Sequence, residues 1–519
     1  MRHPIVFTVA LVGCAPSAEA PPWEACAPDR PAPYAQGAPY LGVHADAANS
    51  DVVPCATADA FTPGWRALMG QGITQPNTFS PDGHTTYVTA THPEPDGCRV
   101  YALDVATGAS RWCRSYPPSV TESAVEVDQD GHLYFTTDGV VVSLDAEGAE
   151  RWVLELGESD APWGVHFAGD GSLITVTPGG VVFAIDRSDG AVIDRLSIAD
   201  TWGFVEGEDI EVDIDITALF PAEVAADLEG VFGAGTDASG GAASFLGSGA
   251  FVDNTIAISP RGDLFVIGGG PDEDTGALVQ IRFDGGHFDP GWYAPTRRGS
   301  ATSPSVSADG RFVVIGDGAS LQSMLVPGSV EGSAVVVDID ACDANGDGDA
   351  DPAVCSPVLD HPLERGPMVG SPAILPDGTT ILYEFDLAFG AEEGDADLMA
   401  LAPDGAVLWQ TALPDDMDWT SVVTVTQDHI LGTATRIEHS DTSFLGLALP
   451  STATSALIVL DRDTGALVSH TPVSDDSSAT VAVGPGGELY VGLLGVFSML
   501  SLDQRPTLGL LRMDPVQGG

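Results

Sequence analysis

The sequence predicts an all-β fold, an eight-bladed β-propeller of four-stranded antiparallel blades whose last blade is completed by an N-terminal strand. Three observations carry that expectation. Eight segments repeat the order apolar, x, polar, x, Gly, x, apolar, x, apolar, two of them imperfectly. A second hairpin pattern follows most of them, and 61 Gly with 38 Pro in 519 residues supply the backbone conformations of many tight turns. Helical periodicity is nearly absent, with PAEVAADLEGVF from Pro221 the candidate helix.

The first hairpins start at Phe79 (FSPDGHTTYV), Val127 (VDQDGHLYF), Phe167 (FAGDGSLITV), Ile258 (ISPRGDLFVI), Val306 (VSADGRFVVI), Ile374 (ILPDGTTILY), Val425 (VTQDHILGTA) and Val483 (VGPGGELYVG). Each reads as strand, Asp-Gly type of turn, strand. The second hairpins are VYALDVATGASRW from Val100, VVSLDAEGAERW from Val141, VFAIDRSDGAVI from Val182, LMALAPDGAVLW from Leu398 and LIVLDRDTGALV from Leu457. Two hairpins per unit make a four-stranded sheet, and a repeat of roughly 40 to 50 residues is the period of propeller blades. The eighth unit ends at LGLLRMDP from Leu508, a third strand, with FTPGWRALMG from Phe61 available as its fourth. Borrowing that strand removes the exposed edges an open array would leave. Seven blades, with one unit misread, is the alternative.

Ala102, Asp104, Thr107, Gly108 and Trp112 fall on the pattern A-x-D-x-x-T-G-x-x-x-W. Parts recur in register at Asp145, Gly148 and Trp152, at Asp186 and Gly190, at Asp404, Gly405 and Trp409, and at Asp461, Thr464 and Gly465. This resembles the pyrroloquinoline-quinone-type (quinoprotein-like) repeat of bacterial β-propellers, and the resemblance covers about residues 60 to 515. It implies that the Trp packs between neighbouring blades. Quinoprotein dehydrogenases typically add a vicinal Cys-Cys pair beside the cofactor and calcium-binding acids at the central funnel. No two cysteines are adjacent here, so no quinone cofactor is expected.

First-hairpin starts lie 48, 40, 91, 48, 68, 51 and 58 residues apart, so material is inserted above a minimum near 40. The propeller spans 61–515, with insertions at 199–253, 316–332, 384–397, 436–455 and 492–507. All fall in connections between second and third strands or between blades, which emerge on one face of an up-and-down blade array. Long loops on a rigid scaffold are where binding usually resides, although loops also tolerate neutral growth at small entropic cost. The apolar stretches Phe444 to Leu449 and Leu493 to Leu500 read as cover for the propeller's top.

The N-terminus has an apolar run from Ile5 to Val12, too short to span a bilayer. Leu11, Val12, Gly13 and Cys14 resemble a bacterial lipobox, which implies a signal peptide over 1–13, lipid on Cys14 and, with Ala15 following, the outer membrane. Ala18 and Ala20 also fit an ordinary secretory signal cleaved after Ala20, giving a secreted protein. Residues 14–60 read as a Pro/Ala-rich tether with one disulfide. Six further cysteines suit an oxidising compartment. Cys98 and Cys113 flank one hairpin and Cys342 and Cys355 bracket one loop, leaving Cys26 with Cys55 by elimination; free buried thiols are the alternative.

The loop at 340–355, DACDANGDGDADPAVC, carries metal chemistry. Asp343, Asn345, Asp347, Gly348 and Asp351 occupy positions 1, 3, 5, 6 and 9 of an EF-hand-like loop, with the carbonyl of Asp349 at position 7. A hard cation such as Ca²⁺ takes six to eight oxygens at ~2.3 to 2.6 Å, and alternating carboxylates on a turning backbone supply them. Val354 replaces the bidentate Glu at position 12, so the loop also resembles the calcium repeats of thrombospondin-type modules. A structural Ca²⁺ is expected, and a solvated acidic loop held by its disulfide is the alternative.

The 75 acids outnumber 19 bases, all Arg, for a formal charge of −56. A polyanion with no basic patch repels phosphate backbones, so nucleic acid is excluded as a partner. The absence of Lys removes Schiff-base and Walker-type chemistry, and H-E-x-x-H, C-x-x-C-H and G-x-S-x-G motifs do not occur. Acid pairs such as Asp415 with Asp416 are expected by chance on a surface this acidic. The resulting expectation is a non-catalytic, membrane-anchored scaffold that binds an envelope protein or extracellular ligand through its long-loop face. The looked-for alternative is a quinoprotein-type oxidoreductase or polysaccharide lyase using the central funnel.

Overall fold

The computed structural model describes residues 32–516 except 92–96, 117–122, 138, 158–163, 206–251, 253, 273–274, 298–301, 318–331, 346–353, 364–367, 369, 384–396, 414–416, 445–446 and 502. Its strands form eight separate antiparallel sheets, seven of four strands and one, blade seven, of five; in all but the last blade the strands follow one another in sequence. The chain is an all-β, eight-bladed propeller. The first blade shows the plan: Thr78–Phe79, Thr85–Thr89, Val100–Asp104 and Ser110–Arg114. In the eighth, Ala482–Val483, Leu489–Leu493 and Gly509–Pro515 are joined by Phe61–Ala67, which pairs Phe61 with Pro515 and Ala67 with Leu510. The ring is therefore closed by the N-terminal strand.

Each blade has a neighbour on both faces, so its middle strands are apolar on both sides. Leu133–Thr137 and Val140–Leu144 are almost wholly buried, whereas the outer strand Glu150–Glu155 alternates toward solvent. First strands bond across blade boundaries: the hydroxyls of Thr78, Ser305 and Thr424 donate to the carbonyls of Val125, Pro372 and Val481 at 2.6, 2.6 and 2.9 Å.

The recurring motif residues make the outer joints. Asp104 accepts from the Thr107 amide and hydroxyl at 3.0 and 2.8 Å, and Asp461 receives Thr464 in the same way at 2.9 and 2.6 Å. The Thr-Gly turn then needs a left-handed residue, and Gly108, Gly148 and Gly190 have φ of 69°, 78° and 77°. Against them pack Trp65, Trp112 and Trp152 of the preceding blades. Their indole N–H groups donate to the carbonyls of Val105, Ala146 and Arg187 at 2.9, 2.9 and 3.1 Å. Within its own blade each indole meets a second-strand Tyr, with centroid separations of 5.7 Å to Tyr490, 6.0 Å to Tyr87 and 6.0 Å to Tyr134. These aromatic joints tie blade eight to blade one, blade one to blade two and blade two to blade three.

Two expectations are corrected. Residues 436–455 do not form a loop: they continue the second and third strands of blade seven into a long hairpin, His429–Phe444 paired with Leu447–Asp461. The β-branched Thr and Ile residues suit such strands, and pairs such as Arg436 with Thr454 and Ile437 with Ala453 keep the register. The tether reading of 14–60 fails over its described half, where Tyr34, Tyr40, Leu41, Ala45, Asn49, Asp51 and Val53 are buried. The candidate helix from Pro221 and the signal region lie outside the described residues.

Candidate functional site

The buried segment 33–55 occupies the propeller axis. It enters on the face of the short Asp-Gly turns, where the Gln129 amide donates to Pro33 O at 2.7 Å and Ala35 N–H to Val127 O at 3.2 Å. It leaves on the same face, at blade seven, where Gln427 N–H donates to Cys55 O at 2.7 Å. Between these legs the carbonyls of Ala47, Ala48, Ser50 and Asp51 fan outward. They accept the amides of Ile258, Val306, Ile374 and Val425, the second first-strand residue of blades four, five, six and seven, at 2.6, 2.8, 3.0 and 2.8 Å. This spiral needs left-handed backbone at Asn49 and Asp51, φ 52° and 53°, the residue types that tolerate it best after Gly. The Asn49 amide nitrogen faces Thr255 Oγ1, Ile256 O and Pro304 O at 3.3, 3.2 and 3.0 Å. The inner amides of blades four to seven are paired with the axial segment.

Inside this axis His44 Nδ1 lies 2.8 Å from Asp51 Oδ2, and His44 Nε2 lies 2.9 Å from Ser303 Oγ. The spacing is that of a Ser-His-Asp triad, but its protons run the wrong way. Asn254 Oδ1 accepts the Thr255 amide at 2.8 Å and is fixed as an acceptor. Ser303 Oγ sits 2.8 Å from that same oxygen, so the Ser303 hydroxyl donates to it and receives a proton from His44. His44 is a donor here and not a base, and all three side chains are buried. A second buried pair, Glu126 with His166 at 3.0 Å, joins the first strands of blades two and three. Burial pushes the Glu126 carboxyl up, opposed by His166.

The opposite face carries the long connections. Blade seven's hairpin is braced there by blade eight: Ala453 N–H donates to Gln504 Oε1 at 2.8 Å and Asp503 N–H to Ser451 O at 3.1 Å. Helix Val496–Leu500 covers the top beside it, with Leu493, Leu494, Phe497 and Met499 buried. Its amides at Val496 and Phe497 donate to the buried Asp476 at 2.9 and 3.0 Å. The 199–253 insertion opens with helix Ile198–Trp202, capped by Ser197 and stopped by Gly203, and continues beyond the described residues.

The acidic loop replaces the Thr-Gly turn of blade five. Helix Ile339–Asn345 presents Asp343, whose Oδ1 accepts Trp292 Nε1 at 3.1 Å and Gln280 Nε2 at 3.2 Å. Trp292 thus makes with a carboxylate the joint that its counterparts make with a carbonyl. Asn345 ends the helix, and Asp347, Asp349 and Asp351 lie outside the described residues. Cys342 and Cys355 are bonded with Cα atoms 5.5 Å apart, fastening both ends of the loop. Cys98 and Cys113 are bonded at 5.7 Å, and Cys55 is disulfide-bonded to a cysteine outside the described residues. Cys14 and Cys26 also lie there.

A family model described as "Outer membrane protein assembly factor BamB" matches residues 55–217. No curated protein matches the chain significantly. Among solved structures, quinohemoprotein alcohol dehydrogenase ADHIIG from Pseudomonas putida HK5 is similar at 15% identity and a TM-score of 0.55, over 92% of this chain and 80% of that one. A europium-containing methanol dehydrogenase gives 13% identity and 0.53, over 92% and 98%. BamB from Moraxella catarrhalis gives 13% and 0.43, over 88% and 99%. The chain shares the eight-bladed propeller fold of the two dehydrogenases, and the family match lies within residues 55–217.

Sequence reasoning on this repeat propeller missed His44, Asn49, Asp51 and Ser303. One signal was present: residues 32–55 include two acids, Asp46 and Asp51, and a run of Tyr, Leu and Val that a solvated tether does not need. Among the described residues, no helix of the propeller is long and apolar enough to cross a membrane.

Proposed function

We propose that this repeat propeller is a non-catalytic binding scaffold of the bacterial envelope, tethered by lipid on Cys14 and presenting its long-loop face to an envelope protein or extracellular ligand. The observation that carries this reading is the occupied axis. Residues 33–55 fill the funnel in which the quinoprotein resemblance implies a cofactor, and Ser303 gives its proton to Asn254 instead of to His44. The described N-terminal segment enters on the short-turn face, so an anchor upstream of it favours presentation of the opposite, elaborated face. The family model matched over 55–217 is named for outer-membrane assembly, which supports envelope location and protein binding. The loop at 340–355 is assigned a structural Ca²⁺, with Asp343, Asn345, Asp347, Asp349 and Asp351 as its donors.

The test compares envelope capture by the full chain and by a variant in which 206–251 is replaced by a short Gly/Ser linker, which spares the packed helix at 198–202. A partner retained by the full chain and lost by the variant supports the reading. Turnover of an alcohol with a quinone, or of a polysaccharide, by the purified protein overturns it.

A further inference from the structure

We propose that the His44–Asp51 pair is a proton-operated latch, which holds the axial segment while the pair carries its shared proton and loosens it when that proton is lost. The proton inventory supplies the reason. Thr255 N–H fixes Asn254 Oδ1 as an acceptor, and Ser303 spends its one proton there; the Thr255 hydroxyl, 3.0 Å from Ser303 Oγ, and His44 Nε2 are then both donors to Ser303. At the other nitrogen, His44 Nδ1 and Asp51 Oδ2 share a further proton at 2.8 Å. The pair therefore holds one proton more than a neutral imidazole beside a carboxylate, and its net charge is zero. That is the state a dry axis tolerates.

Losing the proton has two consequences. Either Nε2 faces the lone pairs of Ser303, or Ser303 turns to His44 and abandons Asn254. In both cases a net negative charge remains on a side chain with no exposure. The Ala45 amide, 3.3 Å from Asp51 Oδ1, offsets that charge in part, while burial opposes it. Asp46 on the same segment adds negative charge, and Tyr40 and, from blade six, Tyr383 are phenols whose ionisation burial and Asp51 both oppose. Ser303, Asn254 and Thr255, from blades five and four, do not titrate. His44 and Asp51 belong to the axial segment and Ser303 to the ring, so the contact that fails is one that keeps segment and ring together. The neighbouring Ala47, Ala48, Ser50 and Asp51 carbonyls are held to four blades by single bonds each and lie within a few residues of the latch.

Hydrogen–deuterium exchange of the full chain, followed by mass spectrometry between about pH 5 and pH 9 and corrected for intrinsic rates, tests this. Opening coupled to loss of one proton accelerates exchange of residues 43–51 by up to about tenfold per pH unit across the titration. The strands Leu133–Thr137 and Val140–Leu144 serve as the reference and keep constant protection. His44→Gln, which does not titrate, gives a flat profile over 43–51. Parallel behaviour of 43–51 and the reference strands in the wild type overturns the latch, as does an unchanged pH profile in His44→Gln. Should that variant not fold, the wild-type series decides alone.

Discussion

Trp65, at the start of the folded ring, packs on Gly108 of the first blade, where an added Cβ would lie 2.6 Å from Cε3 of the indole. The same joint recurs between Trp112 and Gly148 and between Trp152 and Gly190, but only the Trp65 joint closes a circle of eight blades with a strand from the other end of the chain. Trp65→Ala removes the indole, its 2.9 Å bond to Val105 and its edge contact with Tyr490. For a half-buried Trp the expected loss is about 2 to 4 kcal/mol by urea denaturation. Gly148→Ala adds a Cβ 2.9 Å from Trp112 at a φ of 78°, and about 1 to 3 kcal/mol is expected there. A change under about 0.5 kcal/mol in both would mean that the joints do not hold the ring.

Asp476 makes stability fall as pH rises. Burial pushes its carboxyl up to about 7, opposed by the Phe497 and Val496 amides and assisted by the charge of Asp475. With the folded value above the unfolded one, its stabilising contribution is complete below about pH 4 and is lost as pH rises through about 7. Asp476→Asn is expected to flatten that part of the profile. Relative to wild type, the Asp476→Asn midpoint should rise as pH increases from about 4 through about 7, where wild type alone loses the contribution; a gap that stays constant with pH would remove Asp476 as the cause.

The ring was legible in the sequence because its joints use short-range chemistry. Asp104 caps its own turn, Thr107 donates to it, Gly108 takes the left-handed backbone and Trp112 sits four residues on, so the motif fits inside one hairpin and repeats although each Trp packs on the Gly of the next blade. The axial segment was not legible for the opposite reason. Its bonds run from the carbonyls of Ala47 to Asp51 to backbone amides more than 200 residues away, and a carbonyl leaves no mark on residue choice. The latch shares that character, since Ser303 stands 259 positions from His44.

Calcium removal should be felt at the blade-five loop. Ca²⁺ at 100 times its Kd would stabilise the folded chain by about 2.7 kcal/mol through mass action. A raised melting temperature in calcium over EDTA, abolished by Asp347→Ala, is the expected result. Identical melting in both solutions would leave an acidic loop held by Cys342–Cys355 alone.

The cysteines divide between anchor and staples. Cys98–Cys113, Cys342–Cys355 and the bond at Cys55 make three bridges, so reduction should add six hydrogens to the intact mass. Cys14→Ser should release the protein from membranes while leaving that increment unchanged. Retention of the variant on membranes would refute lipid attachment at Cys14.

Asn49 is where the axial segment is most exposed to a single substitution. Its backbone is left-handed and its amide nitrogen faces acceptors from blade four and from Pro304 before blade five. Asn49→Ala leaves Ile256 O and Pro304 O without that donor and keeps a β-carbon in left-handed backbone. Together these cost about 2 to 4 kcal/mol. Asn49→Gly relieves the backbone and loses only the donor, so it should lie between Ala and wild type. The loss should appear first as cleavage within 33–55 by a nonspecific protease, at denaturant concentrations where the blades are still intact. Cleavage of the axis and the blades in one step, for both variants, would instead make the segment an inseparable part of the ring's cooperative unit.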